Sequence, residues 1–239
     1  MLILRDIVKK YVGNTALYVG DLTLRPGEIV GLLGANGSGK TTLMKAIMGI
    51  GELELGGVLL DGKPLKSQYD NVAFITEEGS YLPWMTPMQY AEFLADYYPR
   101  FDRAHYEHLL RFYELPTDKK IRTMSKGQKT KVEICAGMAK RARVILMDEP
   151  FQGKDIFARS DFLKLMIAQL KGDEIIVITT HLIDEIENVI DRAIVLSRGA
   201  VRADVMVDEL REQGRTLTEL MADAAKTGVT SYKRPVEIE

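Results

Sequence analysis

The sequence predicts an α/β fold with a mostly parallel sheet, an N-terminal antiparallel β subdomain and an inserted all-helical subdomain. Three observations lead to this prediction. Residues 1 to 33 are rich in strand signals, two amphipathic helices separated by Pro99 follow a long loop, and strands alternate with helices from Val144 onward. At 239 residues the chain can bury a substantial apolar core in one large domain.

The N-terminal region is predicted to form antiparallel strands. A Pro26-Gly27 turn precedes the apolar run Ile29 to Leu33, and a later hairpin covers Gly56 to Pro64. The other strands expected in this half of the chain are Leu2 to Val8, Ala16 to Leu24 and Val72 to Ile75.

The middle of the chain is predicted to be helical. Apolar residues recur at helical spacing over Met88 to Tyr98 and over Arg103 to Tyr113, and Pro99 separates the two helices. Ser125 is a favourable N-cap for a third helix that runs to about Arg141.

Strand and helix then alternate, which is the pattern of a parallel sheet with crossover helices. We expect one domain over residues 1–225, with core segments 1–82 and 142–225 and a helical subdomain at about 83–141, followed by a loose tail over 226–239. The expected C-terminal elements are Val144 to Met147, Ile156 to Leu170, Glu174 to Thr179, Leu182 to Val189 and Ala193 to Ser197.

Composition limits the classes of partner. The sequence has 32 Lys and Arg residues and 34 Asp and Glu residues, which gives a formal net charge of -2. The chain therefore lacks the strongly basic surface that nucleic-acid binding usually needs. The N-terminus Met1 to Asp6 is charged too early for a signal peptide, and no run approaches the roughly 20 apolar residues that cross a bilayer. We expect a cytoplasmic protein that reaches a membrane through a partner. Cys135 is expected in the core, and His105 and His108 on a solvated helix face.

The segment from Gly34 to Thr41 reads GANGSGKT and lies between an apolar strand and a helix-like stretch. This is a phosphate-binding P-loop in its confirming context, so the core is predicted to be that of a P-loop NTPase. Its glycines let successive N–H groups converge on a triphosphate, Lys40 adds a point charge, and the Thr41 hydroxyl suits Mg²⁺. The predicted nucleotide ligands are Asn36, Gly37, Ser38, Gly39, Lys40, Thr41 and Thr42.

An acid pair, Asp148 and Glu149, ends the apolar strand that begins at Val144. Taken alone, such a pair is commonly a strand meeting a solvated loop. About a hundred residues after a P-loop, it predicts that Asp148 holds Mg²⁺ through its water shell. Glu149 is then the residue that orients and deprotonates the attacking water.

The segment Met124 to Gln128 reads MSKGQ and lies just upstream of that strand. With these motifs the chain resembles the ATP-binding-cassette (ABC) ATPases, whose signature motif is LSGGQ. The resemblance runs from about Arg5 to Met221. Lys126 replaces the first glycine of the signature, whereas Ser125, Gly127 and Gln128 are retained.

The resemblance implies further site residues. It assigns Tyr11 to stacking on adenine and His181 to contact with the γ-phosphate, although an isolated Tyr or His is more often a core or surface residue. It also implies that Ser125, Gly127 and Gln128 meet ATP bound to a second copy, because a capped helix N-terminus attracts anions.

Two positions depart from the family pattern. The family usually has Gln after the strand that corresponds to Val72 to Ile75, and here Glu77 occupies the matching place as a candidate metal ligand. In the loop after the acid pair Asp155 is retained, but Gln152 replaces the expected Ser, which puts a hydrogen bond across the dimer in doubt.

The resemblance implies the ATP-hydrolysing subunit of a membrane transporter, peripheral on the inner face of the cell membrane. Its partners would be ATP, Mg²⁺, a second ATPase subunit as homodimer or heterodimer, and separately encoded transmembrane permease subunits. The signature and the acidic Glu77-Glu78 pair are similar to those of small bacterial exporter subunits. A soluble ABC ATPase that remodels a protein complex is the alternative, and a P-loop kinase or GTPase is disfavoured by MSKGQ and His181.

The loop from Glu78 to Pro87 contains the only tryptophan, Trp84, together with Tyr81, Leu82 and Met85. Aromatic and Met side chains are enriched at the cores of interfaces, so this loop is the expected contact with the membrane partner. The other interpretation is that these residues pack the helical insertion onto the sheet.

Overall fold

The structure, a computed structural model, describes residues 1–11, 14–76, 79–150, 163, 167–168, 170–180 and 183–226. Its strands are β1 (Leu2–Tyr11), β2 (Asn14–Val19), β3 (Leu22–Leu24), β4 (Ile29–Leu33), β5 (Leu55–Leu60), β6 (Lys63–Pro64), β7 (Val72–Thr76), β8 (Val144–Asp148), β9 (Ile175–Thr179), β10 (Arg192–Ser197) and β11 (Ala200–Met206). Its α-helices are α1 (Lys40–Ile47), α2 (Pro87–Tyr97), α3 (Arg103–Phe112), α4 (Lys126–Ala139), α5 (Ile183–Ile186), α6 (Val207–Glu212) and α7 (Leu217–Lys226).

The parallel part of the sheet has the order β10-β4-β9-β8-β7. The P-loop strand β4 therefore lies beside β9, and β9 lies beside β8 with its acid pair. Thr76, Asp148 and Thr179 are aligned across β7, β8 and β9, so the side chains that follow these strands share one edge of the sheet. This confirms the predicted parallel core.

The N-terminal strands pair antiparallel, with β1 between β2 and β5 and also paired to β3, as expected. They continue the same hydrogen-bonded sheet through β11, which pairs antiparallel with β10 and touches β2 at the Ala200–Tyr18 bridge. The predicted strand Ala16 to Leu24 is divided into β2 and β3 by Gly20 and Asp21. Strand β11 and helices α6 and α7 were not predicted as elements.

The helices of the middle segment begin where their capping residues stand. The Thr86 side chain accepts from the Gln89 N–H and forms a capping box at α2, which has Pro87 as its first residue. Asp102 caps α3, and Ser125 caps α4 as predicted. The helix predicted over Ile156 to Leu170 and the tail beyond Lys226 lie almost entirely outside the described residues, and the domain boundaries stay a prediction.

Apolar side chains cover both faces of the parallel strands. Alternate residues of β8 divide between the faces: Ile145 and Met147 join one cluster, whereas Val144 and Leu146 join the other. Helix α1 packs on the second cluster and α2, α3, α4 and α7 on the first. Burial on both faces is what a parallel sheet with crossover helices requires.

Two side-chain predictions have different outcomes. Cys135 is fully buried, as expected. His108 is exposed, but His105 is half-buried, so the solvated face predicted for both histidines was wrong for His105. Its Nε2 atom is inaccessible, because His105 lies on the side of α3 near the Asp102–Arg141 ion pair. None of the helices in the described ranges is both long and apolar enough to cross a membrane.

Candidate active site

The loop between β4 and α1 forms an open anion cradle. Gly34, Gly37 and Gly39 have φ values of 148°, 76° and 108°, which side chains with a Cβ rarely adopt. At Gly34 a Cβ would stand 2.3 Å from the Leu196 carbonyl oxygen. Gly39 is the N-cap of α1 and supplies no side-chain acceptor, so the first N–H groups of this helix are available to a bound anion.

Lys40 is held within this loop. Its Nζ atom donates to the Gly34 carbonyl at 2.8 Å and to the Ala35 carbonyl at 3.3 Å. Burial lowers the pKa of Lys40, and the carboxylates of Glu149 and Asp148 oppose this shift. The lysine is thus placed between the phosphate loop and the acid pair, where it can exchange carbonyl partners for phosphate oxygens.

Asp148 connects the P-loop helix to the neighbouring strand. The Thr41 hydroxyl donates to Asp148 Oδ2 at 2.8 Å, and the Thr179 hydroxyl donates to Asp148 Oδ1 at 2.6 Å. These partners hold the carboxylate next to the hydroxyl of Thr41. A carboxylate oxygen and a hydroxyl oxygen, both suitable ligands for a hard cation, therefore lie side by side. Within the ranges that the structure covers, no group of three or more His, Cys, Asp or Glu side chains could hold a metal.

Glu149 follows in an uncommon backbone conformation. Its φ of 48° lies in the left-handed region, which is unfavourable for a residue with a long side chain. Its N–H donates to the Thr179 hydroxyl oxygen at 3.0 Å and to the Thr179 carbonyl oxygen at 3.2 Å. The strand edge thereby turns sharply, and both acids line the same cavity.

This cavity has a volume of about 660 Å³. It brings together nine of the predicted residues, which come from β1, the P-loop, α1 and the end of β8: Tyr11, Asn36, Gly37, Gly39, Lys40, Thr41, Thr42, Asp148 and Glu149. Ala16, Arg198 and Gly199 line it as well and were missed by sequence reasoning. The Arg-Gly pair ends the strand beside the P-loop strand, but without the sheet order nothing in the sequence marks it as part of the site.

Two predicted ligands, Tyr11 and Ser38, need separate comment. Tyr11 is 50% exposed at the end of β1, with Lys9 Nζ 5.4 Å from its ring centroid, so much of its ring is available for stacking. Ser38 is buried and does not line the cavity. Its Oγ has no hydrogen-bond partner in the described part of the chain and lies where a Cβ on Gly34 would meet it.

The signature residues stand apart from this cavity. Ser125 is exposed, Gly127 and Gln128 are half-exposed, and none of the three belongs to the lining found among the described residues. Ser125 Oγ accepts from the Gln128 N–H at 3.2 Å, and Gln128 Oε1 accepts from the Ser125 N–H at 3.0 Å. The side-chain oxygen of Gln128 is therefore engaged in the capping box.

The loop before α2 combines both interpretations of its aromatic residues. Tyr81 and Met85 pack partly buried against the core, whereas Trp84 is 60% exposed. Among the remaining candidates, Glu77, Glu78, His181, Gln152 and Asp155 lie outside the described residues.

Comparisons with known proteins show which family the chain is similar to. The family described as "ABC transporter" matches residues 19–152. The ABC transporter ATP-binding protein YtrB of Bacillus subtilis (strain 168) is 35% identical over 217 residues, covering 89% of this chain and 74% of YtrB. The ABC-type transporter ATP-binding protein EcsA of the same organism is 33% identical over 226 residues, covering 89% of this chain and 90% of EcsA.

A solved structure described as an ATP binding subunit of an ABC transporter superposes with a TM-score of 0.84 and 28% identity, covering 94% of this chain and 99% of that one. None of these three descriptions states a direction of transport, so the exporter-like subtype stays a prediction.

Proposed function

The chain belongs to the ABC transporter family as an ATP-binding, ATP-hydrolysing subunit, and on this premise we propose how its residues bind and hydrolyse ATP and pass the result to a membrane partner. One observation carries the proposal: the same cavity is lined by Tyr11, Lys40, Thr41, Asp148 and Glu149. Stacking, phosphate binding and acid–base groups are then available to one nucleotide.

The nucleotide lies with its adenine on the exposed ring of Tyr11 and its phosphates in the P-loop. The N–H groups of the glycine loop and of the first turn of α1 bind the phosphate oxygens, and Lys40 adds its charge at the outer phosphates. The lysine leaves the Gly34 and Ala35 carbonyls for the phosphates at modest cost, because one set of hydrogen-bond acceptors replaces another.

The donor set fits Mg²⁺. Thr41 and Asp148 offer a hydroxyl and a carboxylate oxygen side by side, and Mg²⁺ prefers such oxygens while it keeps several waters. Thr41 and Asp148 would hold the ion, with Glu77 as a further proposed ligand. Bound there, Mg²⁺ neutralises charge on the phosphates during transfer.

Glu149 is the proposed general base. It accepts a proton from a water whose oxygen forms the new bond to the γ-phosphorus, while the bond to the bridging oxygen breaks and ADP leaves with the electron pair. His181 is proposed to donate a hydrogen bond to the γ-phosphate. Because Glu149 and Asp148 share Thr179 as a hydrogen-bond partner, the base and the metal ligand are positioned by one side chain.

A second subunit completes the site. Ser125, Gly127 and Gln128 lie at the exposed start of α4, away from the cavity of their own chain, so we propose that they contact the γ-phosphate held by a partner ATPase subunit. The space around Gly127 is open, since a Cβ placed there has no neighbour within 4 Å among the described atoms. The partner subunit is a second copy or a related chain.

The membrane partner is proposed to dock on the loop around Trp84. This side chain is 60% exposed although its neighbours Tyr81 and Met85 are anchored on the core, so the loop presents an aromatic residue on a fixed base. Separately encoded transmembrane subunits would then hold the chain at the inner face of the cell membrane.

Glu149→Gln tests the base and the dimer together. We expect ATP binding to be retained, turnover to fall about 100-fold or more, and light scattering with ATP to show a dimer, because the water loses its base while the phosphate cradle survives. Glu209→Gln, an exposed acid on α6, is the matched control and should behave like the parent. Parental turnover in the Glu149 variant would remove the assigned base.

A further inference from the structure

The turn between β10 and β11 enters the nucleotide cavity. Ser197 and Ala200 are paired, so Arg198 and Gly199 form a two-residue hairpin loop, and both residues line the cavity. Neither belongs to the sequence motifs from which the phosphate site was predicted. Arg198 and Lys40 are the two cations in the lining of this cavity among the described residues.

The backbone of this turn is attached to the phosphate loop. The Gly199 N–H donates to the Ser38 carbonyl at 2.9 Å, and the Gly199 carbonyl accepts from the Tyr18 N–H at 2.7 Å. A Cβ on Gly199 would stand 2.4 Å from the Ala16 carbonyl oxygen, so this turn fits closely against β2. The origin of the Arg198 side chain is therefore fixed relative to the cradle.

Arginine is an unfavourable residue at this position. Arg198 and Gly199 have φ values of 50° and 75°, the pair of positive angles that a type I′ turn requires, and such turns favour Asn-Gly, Asp-Gly or Gly-Gly. The guanidinium makes no hydrogen bond or ion pair with any residue that the structure describes, and the side chain is exposed. Local stability thus gives no reason for an arginine in this turn.

We propose that Arg198 binds the phosphate chain of the nucleotide, an inference that rests on the proposed use of this cavity for ATP. Gly199 Cα lies 3.5 Å from the position of a Cβ on Gly39, the residue that directly precedes α1 and its phosphate-facing N–H groups. The turn is therefore beside the phosphate end of the site. A triphosphate carries more negative charge than Lys40 alone neutralises, and a guanidinium fork matches phosphate oxygens.

Arg198→Asn separates binding from folding. Asparagine suits the type I′ position, so the nucleotide-free variant should melt at the same temperature as the parent or higher. Loss of a charge-assisted hydrogen bond should weaken ADP and ATP binding about tenfold, with a smaller loss at high salt and little change for adenosine. Arg198→Lys should retain part of the affinity. Arg111→Gln, an exposed arginine on α3, is the matched control.

Calorimetric titration with ADP, ATP and adenosine decides the matter. Parental ADP affinity in Arg198→Asn would overturn the inference, and so would an equal loss for adenosine, which would indicate a contact with the base or sugar. The variant Lys40→Ala distinguishes a failure of the Arg198 inference from a failure of the proposed nucleotide site. If Lys40→Ala loses ADP affinity and Arg198→Asn does not, the cavity binds nucleotide without Arg198; if the parent binds no ADP, the proposed site fails as well.

Discussion

The face of the sheet that α1 covers and the face that α2, α3 and α4 cover are packed in different ways. On α1, Leu43 and Met44 are at most 1% exposed and pack in a cluster that consists mainly of apolar strand residues. The other face adds polar groups to its apolar cluster: Glu133 on α4 is 2% exposed, and Tyr90 and Tyr106 are buried beside it with their hydroxyls.

The polar groups on the second face are only partly satisfied. Glu133 Oε1 accepts from the Ser80 hydroxyl at 2.6 Å, and the Tyr90 hydroxyl lies 3.2 Å from that same Ser80 oxygen. Glu133 Oε2 and the Tyr106 hydroxyl have no hydrogen-bond partner in the described ranges. Burial raises the pKa of Glu133, whereas Ser80 and Lys140 oppose the shift.

The difference matches what each face supports. Helix α1 begins at the phosphate cradle and rests on apolar packing, which tolerates little displacement. Helix α4 begins at the signature residues and adds the hydrogen bond between Glu133 and Ser80 to its apolar packing, and this bond ties it to the loop leaving β7. A partly satisfied polar network stabilises one arrangement less strongly than a dry core does.

The largest effect that tests this comparison is expected on the α1 face. Leu43→Ala should lower the free energy of unfolding by about 3 kcal/mol, because it removes buried methyl groups and leaves a cavity. Leu55→Ala, at a leucine that is 59% exposed, should change it by less than about 0.5 kcal/mol. Denaturant unfolding measures both. Equal losses at the two positions would contradict the tight packing assigned to this face.

The second effect depends on pH. An acid whose folded-state pKa is raised stabilises the fold fully below its unfolded pKa and loses that contribution as pH rises through the folded value. Glu133→Gln should therefore gain stability relative to the parent as pH increases, because ionising the buried carboxylate of the parent costs free energy that the neutral amide does not. Unfolding curves from acid to alkaline pH measure the difference. A difference that does not change with pH would show that Glu133 ionises normally.

Removing two buried tyrosine hydroxyls should change the free energy of unfolding in opposite directions. Tyr106→Phe removes a buried hydroxyl that lacks a partner and should raise the unfolding free energy by about 1 kcal/mol. Tyr90→Phe removes the hydroxyl beside Ser80 and should lower it by about 1 kcal/mol. Thermal melts of the two variants, made in the same background, provide the matched pair. Losses of equal size would mean that both hydroxyls are hydrogen-bonded.

The smallest effect on stability is expected outside both clusters. Trp84→Ala should change the unfolding free energy by less than about 0.5 kcal/mol and leave ATP turnover unchanged, because the side chain is mostly exposed. It should reduce recruitment to membranes that contain the co-expressed transmembrane subunit. Sedimentation with membranes measures this, with Phe112→Ala, another exposed aromatic, as control. Unchanged recruitment would remove the proposed docking role.

Much of the phosphate site was predictable because its signals are local. Gly34, Gly37 and Gly39 occupy backbone conformations that favour glycine, and Ser125 caps a helix that starts at the next residue. These outcomes depend on a few successive residues and their own hydrogen bonds. The meeting of Thr41 with Asp148 also followed, since parallel strands bring their carboxyl ends to one edge.

The sequence by itself therefore determined the glycine cradle, the Ser125 cap and the alternating pattern that indicates a parallel core. Only the tertiary structure decided that β11 joins the antiparallel strands to this core, that Arg198 lines the cavity, and that Glu133 and His105 are withdrawn from solvent. The physical reason is distance along the chain. Burial and strand pairing are set by neighbours far away in sequence, such as Ser80 for Glu133 and Ser38 for Gly199, and no local pattern encodes which of these neighbours will meet.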